Sequence, residues 1–142
     1  MSDADTPVWR LMLKPMVVHL SALYFGCPVY LVGGAMTQDD PRDIDLALVL
    51  PDDLFVACYS DRRDAWDATK TAAAVDDWIA VHMGVKCSEP PRLWYRWAVD
   101  CAKHSRQLTL ALHRRVDFKV QPETLAKIKE TRPRELIAQV IP

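Results

Sequence analysis

The sequence contains no apolar run long enough to cross a bilayer, because Lys, Arg, Asp or Glu soon interrupts every candidate. The first ten residues, MSDADTPVWR, lack the basic and then apolar layout of a secretory signal. We therefore expect a cytoplasmic protein that does not associate with a membrane. The four cysteines form no CxxC pair, so free and mostly buried thiols are expected rather than disulfides. A zinc site made of Cys101, His104 and His113 is the weaker option, because no second cysteine is clustered with them.

Several catalytic motifs are also missing. There is no GxxxxGK[ST], which excludes a P-loop ATPase, no GxSxG, and no metalloprotease motif around any of the four histidines. The net charge is −1, without the excess of Lys and Arg that marks a non-specific nucleic-acid binder. A basic stretch between residues 103 and 115 predicts either a local patch or, more commonly, the solvated face of a helix.

The remaining composition is that of an ordinary globular protein. Its 142 residues are half hydrophobic and about a quarter charged, which suits a single domain, residues 1–142, with one core. Alternating or continuous apolar residues predict strands at 28–32, 43–50 and 115–122. Strands separated by helices predict an α/β, or α+β, fold with a small mixed β-sheet flanked by helices.

Apolar residues at helical spacing occur in most of the remaining chain. Pro15 has to start, kink or split the first helix, and consecutive prolines make 87–91 a linker. One long helix or two short ones follow Leu93, and Pro133 breaks or restarts the last helix. The predicted helical ranges are 8–25, 52–59, 62–82, 93–112 and 122–139.

Two aspartates begin the second strand, in the order Asp43-Ile44-Asp45. Residues two apart on a strand point to the same side, about 6–7 Å apart along the backbone, so both carboxylates emerge together. Such like charges raise each other's proton affinity unless a cation lies between them, and oxygen ligands of this kind suit Mg²⁺. Two exposed acids on an edge strand are the alternative. Because the rest of this strand is apolar on both faces, the pattern favours a functional pair.

Asp117 is a third acid, on the strand RVDFKVQP. It shares a face with Arg115 and Lys119, whereas the apolar residues of this strand point the other way. Its presence there indicates either a salt bridge to one of these bases or a third metal-binding carboxylate.

Gly33 and Gly34 directly follow the first strand. Glycine allows a positive φ and has no side chain, so a phosphate can approach the backbone amides closely. A simple turn is the commoner use of such a pair, and the glycines indicate a phosphate site only in combination with the acids.

Residues 28–50, PVYLVGGAMTQDDPRDIDLALVL, resemble the nucleotidyltransferase superfamily to which DNA polymerase β belongs. Its signature is an apolar strand that ends in Gly-Gly or Gly-Ser, then a loop, then Asp-apolar-Asp-apolar on the next strand. A third carboxylate follows on a later strand, which VDFKV around Asp117 resembles. The match covers 28–50 and 115–120, and elsewhere only the order of elements fits.

The resemblance implies a role for each of these residues. Gly33 and Gly34 would hold the phosphates of an NTP such as ATP, and Asp43 and Asp45 would bind Mg²⁺, with Mn²⁺ as an alternative. Asp117 would bind the metal near the attacking hydroxyl or act as a base toward it.

Three further residues complete the predicted site. Thr37 would supply the hydroxyl that some members of the superfamily place after the glycines, and Arg42 and Lys119 would neutralise triphosphate charge. The loop between the glycines and Asp43 is short for the superfamily, and it carries two additional acids, Asp39 and Asp40.

The reaction that the resemblance implies is transfer of an NMP group from an NTP to an acceptor hydroxyl. The acceptor stays open between a small molecule, RNA and a protein. Because 142 residues leave no room for a separate acceptor-binding domain, either the acceptor is small or a partner protein or second subunit completes its site. The alternative is a non-catalytic module of the same fold that binds a nucleotide or another protein.

Overall fold

The computed structural model describes residues 6–59, 93–123, 126 and 134–140. Its elements in chain order are helix α1 (Val8–Leu23), strand β1 (Val29–Val32), a 3₁₀ turn (Gly33–Met36), strand β2 (Asp43–Leu50), helix α2 (Asp52–Tyr59), helix α3 (Leu93–Leu112), strand β3 (Arg115–Pro122) and strand β4 (Arg134–Ala138). These strands form one sheet in the order β3-β2-β1-β4. β1 is antiparallel to β2 and β4, whereas β2 and β3 are parallel. The predicted α+β class with a mixed sheet is confirmed.

Most of the predicted elements are present where the structure describes the chain. β1, β2 and β3 match the predicted strands, α2 matches its predicted helix, and α3 is one long helix. Pro15 lies inside α1 and neither starts nor splits it. The predicted helix 62–82 and linker 87–91 lie outside the described residues, as does Cys87.

The prediction was wrong at the C-terminal end, where β4 replaces part of the helix predicted over 122–139. Glu, Leu and Ala in this segment favour a helix in isolation. The second edge of β1 offers unpaired backbone groups, however, and pairing with that edge overrides the local preference. A side-chain contact also joins β4 to α1, because Arg10 Nη1 donates to Glu135 Oε2 at 2.7 Å.

One face of the sheet forms the hydrophobic core together with the helices. Strand alternation turns every second residue of β2 and β3 toward this core. Helix α1 contributes residues at helical spacing, and α2 and α3 contribute large aromatic side chains. The core includes Trp9, Leu13, Val17, Leu31, Ile44, Leu48, Phe55, Tyr59, Trp97 and Phe118.

Side chains of α3 close the outer edge of β3. The hydroxyls of Ser105 and Thr109 each accept a hydrogen bond from a backbone N–H of β3, at 2.8 and 2.9 Å. Each hydroxyl also donates to the carbonyl of the same β3 residue, at 3.2 and 3.4 Å, and Trp97 Nε1 donates to a third carbonyl at 2.8 Å. The β3 residues bound in this way are Val116, Phe118 and Val120. β3 is therefore held on one edge by β2 and on the other by a helix.

The described cysteines and helices bear on two sequence predictions, one about free thiols and one about membrane association. Cys27 and Cys101 are buried thiols outside any disulfide. Among the residues that the structure describes, none belongs to a helix with the length and apolar character needed to span a bilayer.

Candidate functional site

The three aspartates of the predicted triad lie on adjacent parallel strands. Asp45 of β2 is directly opposite Asp117 of β3, which puts their Cα atoms about 4.8 Å apart. Asp43 lies two residues before Asp45 and opposite Arg115. Because residues two apart share a side, all three carboxylates emerge on the sheet face that is turned away from the core. Asp45 and Asp117 are half-buried there, and Asp43 is exposed.

Asp45 is the acid whose ionisation the surroundings disturb. Partial burial raises the pKa of its carboxyl group, and the negative charges of Asp117 and Asp43 raise it further. Arg115 and Lys119 act in the opposite direction without cancelling the effect. A bound cation would stabilise the ionised carboxylate in this position and so oppose both causes of the raised pKa.

A salt bridge was the simpler explanation for Asp117. In the part of the chain that the structure describes, no ion pair joins Asp117 to Arg115 or Lys119. The two basic side chains flank the acids on the same strand face and contribute positive potential without neutralising either carboxylate directly.

The donor chemistry of these acids fits a hard divalent cation, since three carboxylates with no interposed imidazole or thiol are typical ligands of Mg²⁺ and Mn²⁺. Within the described ranges, however, no three His, Cys, Asp or Glu side chains already form a metal-binding group. Carboxylates with a common charge repel one another unless a cation lies between them. Binding of a metal by Asp43, Asp45 and Asp117 would therefore require their side chains to rotate, on a backbone that already pairs their strands.

The two additional acids of the preceding loop, Asp39 and Asp40, take part in different contacts. The carboxylate of Asp40 pairs with the guanidinium of Arg114, which also donates to the carbonyl of Pro41 at 3.0 Å. The backbone carbonyl of Asp39 accepts a hydrogen bond from Trp9 Nε1 at 2.8 Å, and its side chain is exposed. These contacts fix the loop that leads into β2.

Gly33 starts the 3₁₀ turn directly after β1, with a φ of 74° in the left-handed region. A Cβ atom at this position would lie 3.2 Å from Asp45 Oδ2, so only glycine lets the turn come this close to the carboxylate without strain. Gly34 follows in the turn, and its carbonyl accepts hydrogen bonds from the backbone N–H and the hydroxyl of Thr37, at 3.2 and 3.3 Å. The Thr37 hydroxyl thus stabilises the turn beside Asp45.

A cavity of about 620 Å³ lies on this face of the sheet. The predicted site residues that line it are Gly33, Thr37, Asp45, Asp117 and Lys119. The remaining lining comes largely from the same sheet face, including the small side chain of Ala47, which leaves space above β2.

The other predicted site residues lie at the edge of this arrangement. Asp43, Gly34 and Arg42 are exposed, and none of them lines the cavity. Arg42 directly precedes β2, one residue before Asp43. Its predicted contact with a triphosphate remains a prediction.

Tyr30 and Arg134 are cavity residues that the sequence prediction missed. The Cζ atom of Arg134 lies 4.4 Å from the centroid of the Tyr30 ring, which is a close cation–π contact. The alternation of β1 could have placed Tyr30 on the same face as the strand end beside Gly33. Arg134 gave no such signal, because its segment was predicted to be helical and its register depends on β1.

A second groove, of about 500 Å³, runs between α3 and β3. Asp117 and Lys119 line both this groove and the cavity. Arg106 and Arg115 add positive charge to the groove and are exposed. Asp117 therefore lies where the groove and the cavity meet.

The weaker zinc hypothesis has no geometric support. His104 Nε2 is 3.0 Å from the hydroxyl of Tyr24, Cys101 is buried and His113 is exposed. These groups do not form a metal-binding group in the described part of the chain. The basic stretch 103–115 is likewise not a uniform patch, since Arg114 is engaged by Asp40.

Comparison of the chain with protein-family models, with curated proteins and with solved structures gave no match. A function for this protein therefore has to follow from the cavity, its side chains and the sequence motif around them.

Proposed function

We propose that this protein is a Mg²⁺-dependent nucleotidyltransferase that transfers an NMP group from an NTP to an acceptor hydroxyl and releases pyrophosphate. The observation that carries the proposal is the pairing of Asp45 with Asp117 on parallel strands, in the wall of a cavity that the Gly33 turn also lines. Asp43 adds a third carboxylate on the same sheet face. The combination suits the binding of a cation together with phosphates.

The three acids would hold Mg²⁺ or Mn²⁺, which, when bound, supplies positive charge to the phosphates and to the entering and leaving oxygens. Gly33 leaves room for a phosphate beside Asp45, and Lys119 adds a cation on the β3 side. The acceptor oxygen would attack the α-phosphorus while the bond to the bridging oxygen breaks and pyrophosphate leaves. Asp117 is proposed to orient the acceptor hydroxyl and accept its proton.

The groove between α3 and β3 offers a route for the acceptor, because it meets the cavity at Asp117. A small molecule, an RNA end or a protein side chain could reach this carboxylate from the groove, and a partner protein or second subunit would enlarge the contact. A cytoplasmic location, where NTPs are available, belongs to the same proposal.

The test is calorimetric titration of the protein with each NTP, with and without Mg²⁺. We expect binding that requires Mg²⁺ and weakens at least about tenfold in Asp45→Asn, because a carboxylate ligand is lost. Asp39→Asn is the matched control, since it removes the same charge from an exposed side chain outside the cavity. Its affinity should equal that of the native protein.

Two results would redirect the assignment. Metal-independent binding that survives in Asp45→Asn would indicate a non-catalytic nucleotide-binding module. The absence of NTP binding by the native protein would leave a protein-interaction module as the better description.

A further inference from the structure

The cavity carries charge in a defined pattern across the sheet. Val32 pairs with Asp45 on one side and with Arg134 on the other, and Asp45 in turn pairs with Asp117. Directly paired residues point to the same face of the sheet. One row of neighbouring side chains therefore crosses the sheet, from Arg134 through Val32 to Asp45 and Asp117. Arg134 and Asp45 are two strand spacings apart, or about 10 Å between Cα atoms.

The backbone of Arg134 belongs to the row that contains Val32, but its guanidinium lies over the neighbouring row of paired residues. Tyr30 lies two residues before Val32 on β1, and the Arg134 Cζ atom lies 4.4 Å from its ring centroid. The side chain of Arg134 therefore extends over β1, along the wall of the cavity. Stacking restricts its rotamers in advance, which lowers the entropy lost when the group binds a ligand.

Among the described residues, this guanidinium forms no ion pair with Asp43, Asp45 or Asp117. Its position suits the far end of a polyphosphate whose near end is bound beside Asp45 and Gly33. The planar fork of arginine matches phosphate oxygens in a bidentate manner, and it stays charged at every physiological pH. Lys119 provides the opposite cationic wall, on β3.

We propose that Arg134, held in place by Tyr30, binds the terminal phosphates of the substrate and makes the cavity select nucleoside triphosphates over monophosphates. The inference rests on the proposed function, because it takes the acids and the Gly33 turn as the site of the proximal phosphate. It adds Tyr30 and Arg134 to the residues predicted for the site, and Arg134 lies outside the segments that carry the sequence resemblance.

The experiment compares Mg²⁺-dependent binding of ATP and AMP by the native protein and Arg134→Gln, with inorganic tripolyphosphate as a competitor. Loss of a charge-assisted contact should weaken ATP binding about ten- to a hundredfold. AMP affinity should change by less than about threefold, because AMP lacks the phosphates in question. Tripolyphosphate should compete well with ATP for the native protein and poorly for the variant.

Companion variants separate the contact from general effects of charge and folding. Tyr30→Phe keeps the ring and should bind ATP as the native protein does, whereas Tyr30→Leu should weaken ATP binding because the guanidinium loses its support. Lys103→Gln removes an exposed cation that lines neither the cavity nor the groove between α3 and β3, and it should leave ATP binding unchanged. Thermal unfolding of every variant verifies that it is folded.

Three outcomes would contradict the inference, and each can be distinguished from the others. If Arg134→Gln weakens AMP as much as ATP, the side chain contacts the nucleoside and the inference is wrong. Unchanged ATP binding in that variant also overturns it, while the proposed function stands. A native protein that binds neither ATP nor tripolyphosphate overturns both.

Discussion

At the scale of single residues, the conformation of Gly33 is coupled to the position of the Asp45 carboxylate. The left-handed turn at Gly33 brings backbone next to the carboxylate, and a Cβ atom there would lie 3.2 Å from Asp45 Oδ2. Gly34 is in a different situation, because its φ is not positive and a Cβ atom would meet only the flexible end of Gln38. The neighbouring glycines therefore provide a matched pair of substitutions.

Gly33→Ala should destabilise the protein by about 1–2 kcal/mol, the usual cost of a left-handed conformation for a residue with a Cβ atom. It should also weaken Mg²⁺-dependent NTP binding, since the methyl group crowds Asp45. Urea denaturation and calorimetry measure the two effects. Gly34→Ala should be nearly neutral in both, and equal effects at the two positions would refute the assignment.

The acids of the site could be predicted from the sequence because their signal is local. Asp43 and Asp45 interrupt an otherwise apolar strand, and Asp117 does the same in an alternating one. Arg134 had no such signal, since nothing within its own segment indicates that it pairs beside Val32. A side chain whose role depends on a partner a hundred residues away in sequence requires the sheet order, which local patterns do not contain.

At the scale of elements, α3 and β3 form a unit that positions Asp117. Hydroxyl groups on one side of the helix satisfy backbone groups of the strand that would otherwise lie at an open sheet edge. β2 pairs with the other edge, so the backbone around Asp117 is fixed from both directions.

Ser105→Ala removes both hydrogen bonds to Phe118 and should lower the free energy of unfolding by about 1–3 kcal/mol. The reason is that a backbone N–H and its carbonyl lose their partner in a half-buried position. Chemical denaturation measures the change. Gln107→Ala, on an exposed position of the same helix, should stay within about 0.5 kcal/mol of the native protein. A loss as small as that of the control would mean that water replaces the hydroxyl.

Helices and strands were predicted correctly where the residues of a single segment determine its structure. α3 and β3 show helical and alternating apolar spacing, and the structure has them at the predicted positions. β4 contains good helix formers and becomes a strand only because β1 has a second edge to pair. The serine and threonine hydrogen bonds across α3 and β3 likewise depend on two elements together and were not predicted.

At the scale of the whole molecule, His104 links three elements. Its Nε2 atom is 3.0 Å from the hydroxyl of Tyr24, at the end of α1, and its ring packs edge-on against Phe118 of β3 at a centroid distance of 5.5 Å. Burial lowers the pKa of the imidazole, and Lys103 and His19 lower it further, while Asp100 opposes the shift.

The lowered pKa of His104 predicts the direction of the pH dependence. Between that pKa and the ordinary histidine value, the unfolded chain binds a proton that the folded chain does not, so stability falls as the pH is lowered through this window. The slope from this residue is at most about 1.4 kcal/mol per pH unit. Denaturation of the native protein and His104→Gln at several pH values between 5 and 7.5 should show a steeper loss in the native protein. Parallel pH profiles would contradict the prediction.

The sheet order also has a consequence for how the protein is made. β1 and β2 leave the ribosome early and can pair as neighbours, but the strand that covers the other side of β1 is not complete until residue 138. During that interval the second edge of β1 is unpaired, and Val32 does not yet have Arg134 opposite it. Strand β4 supplies Arg134 to the wall of the cavity, so the proposed selection for triphosphates requires that β4 has been synthesised and has paired with β1.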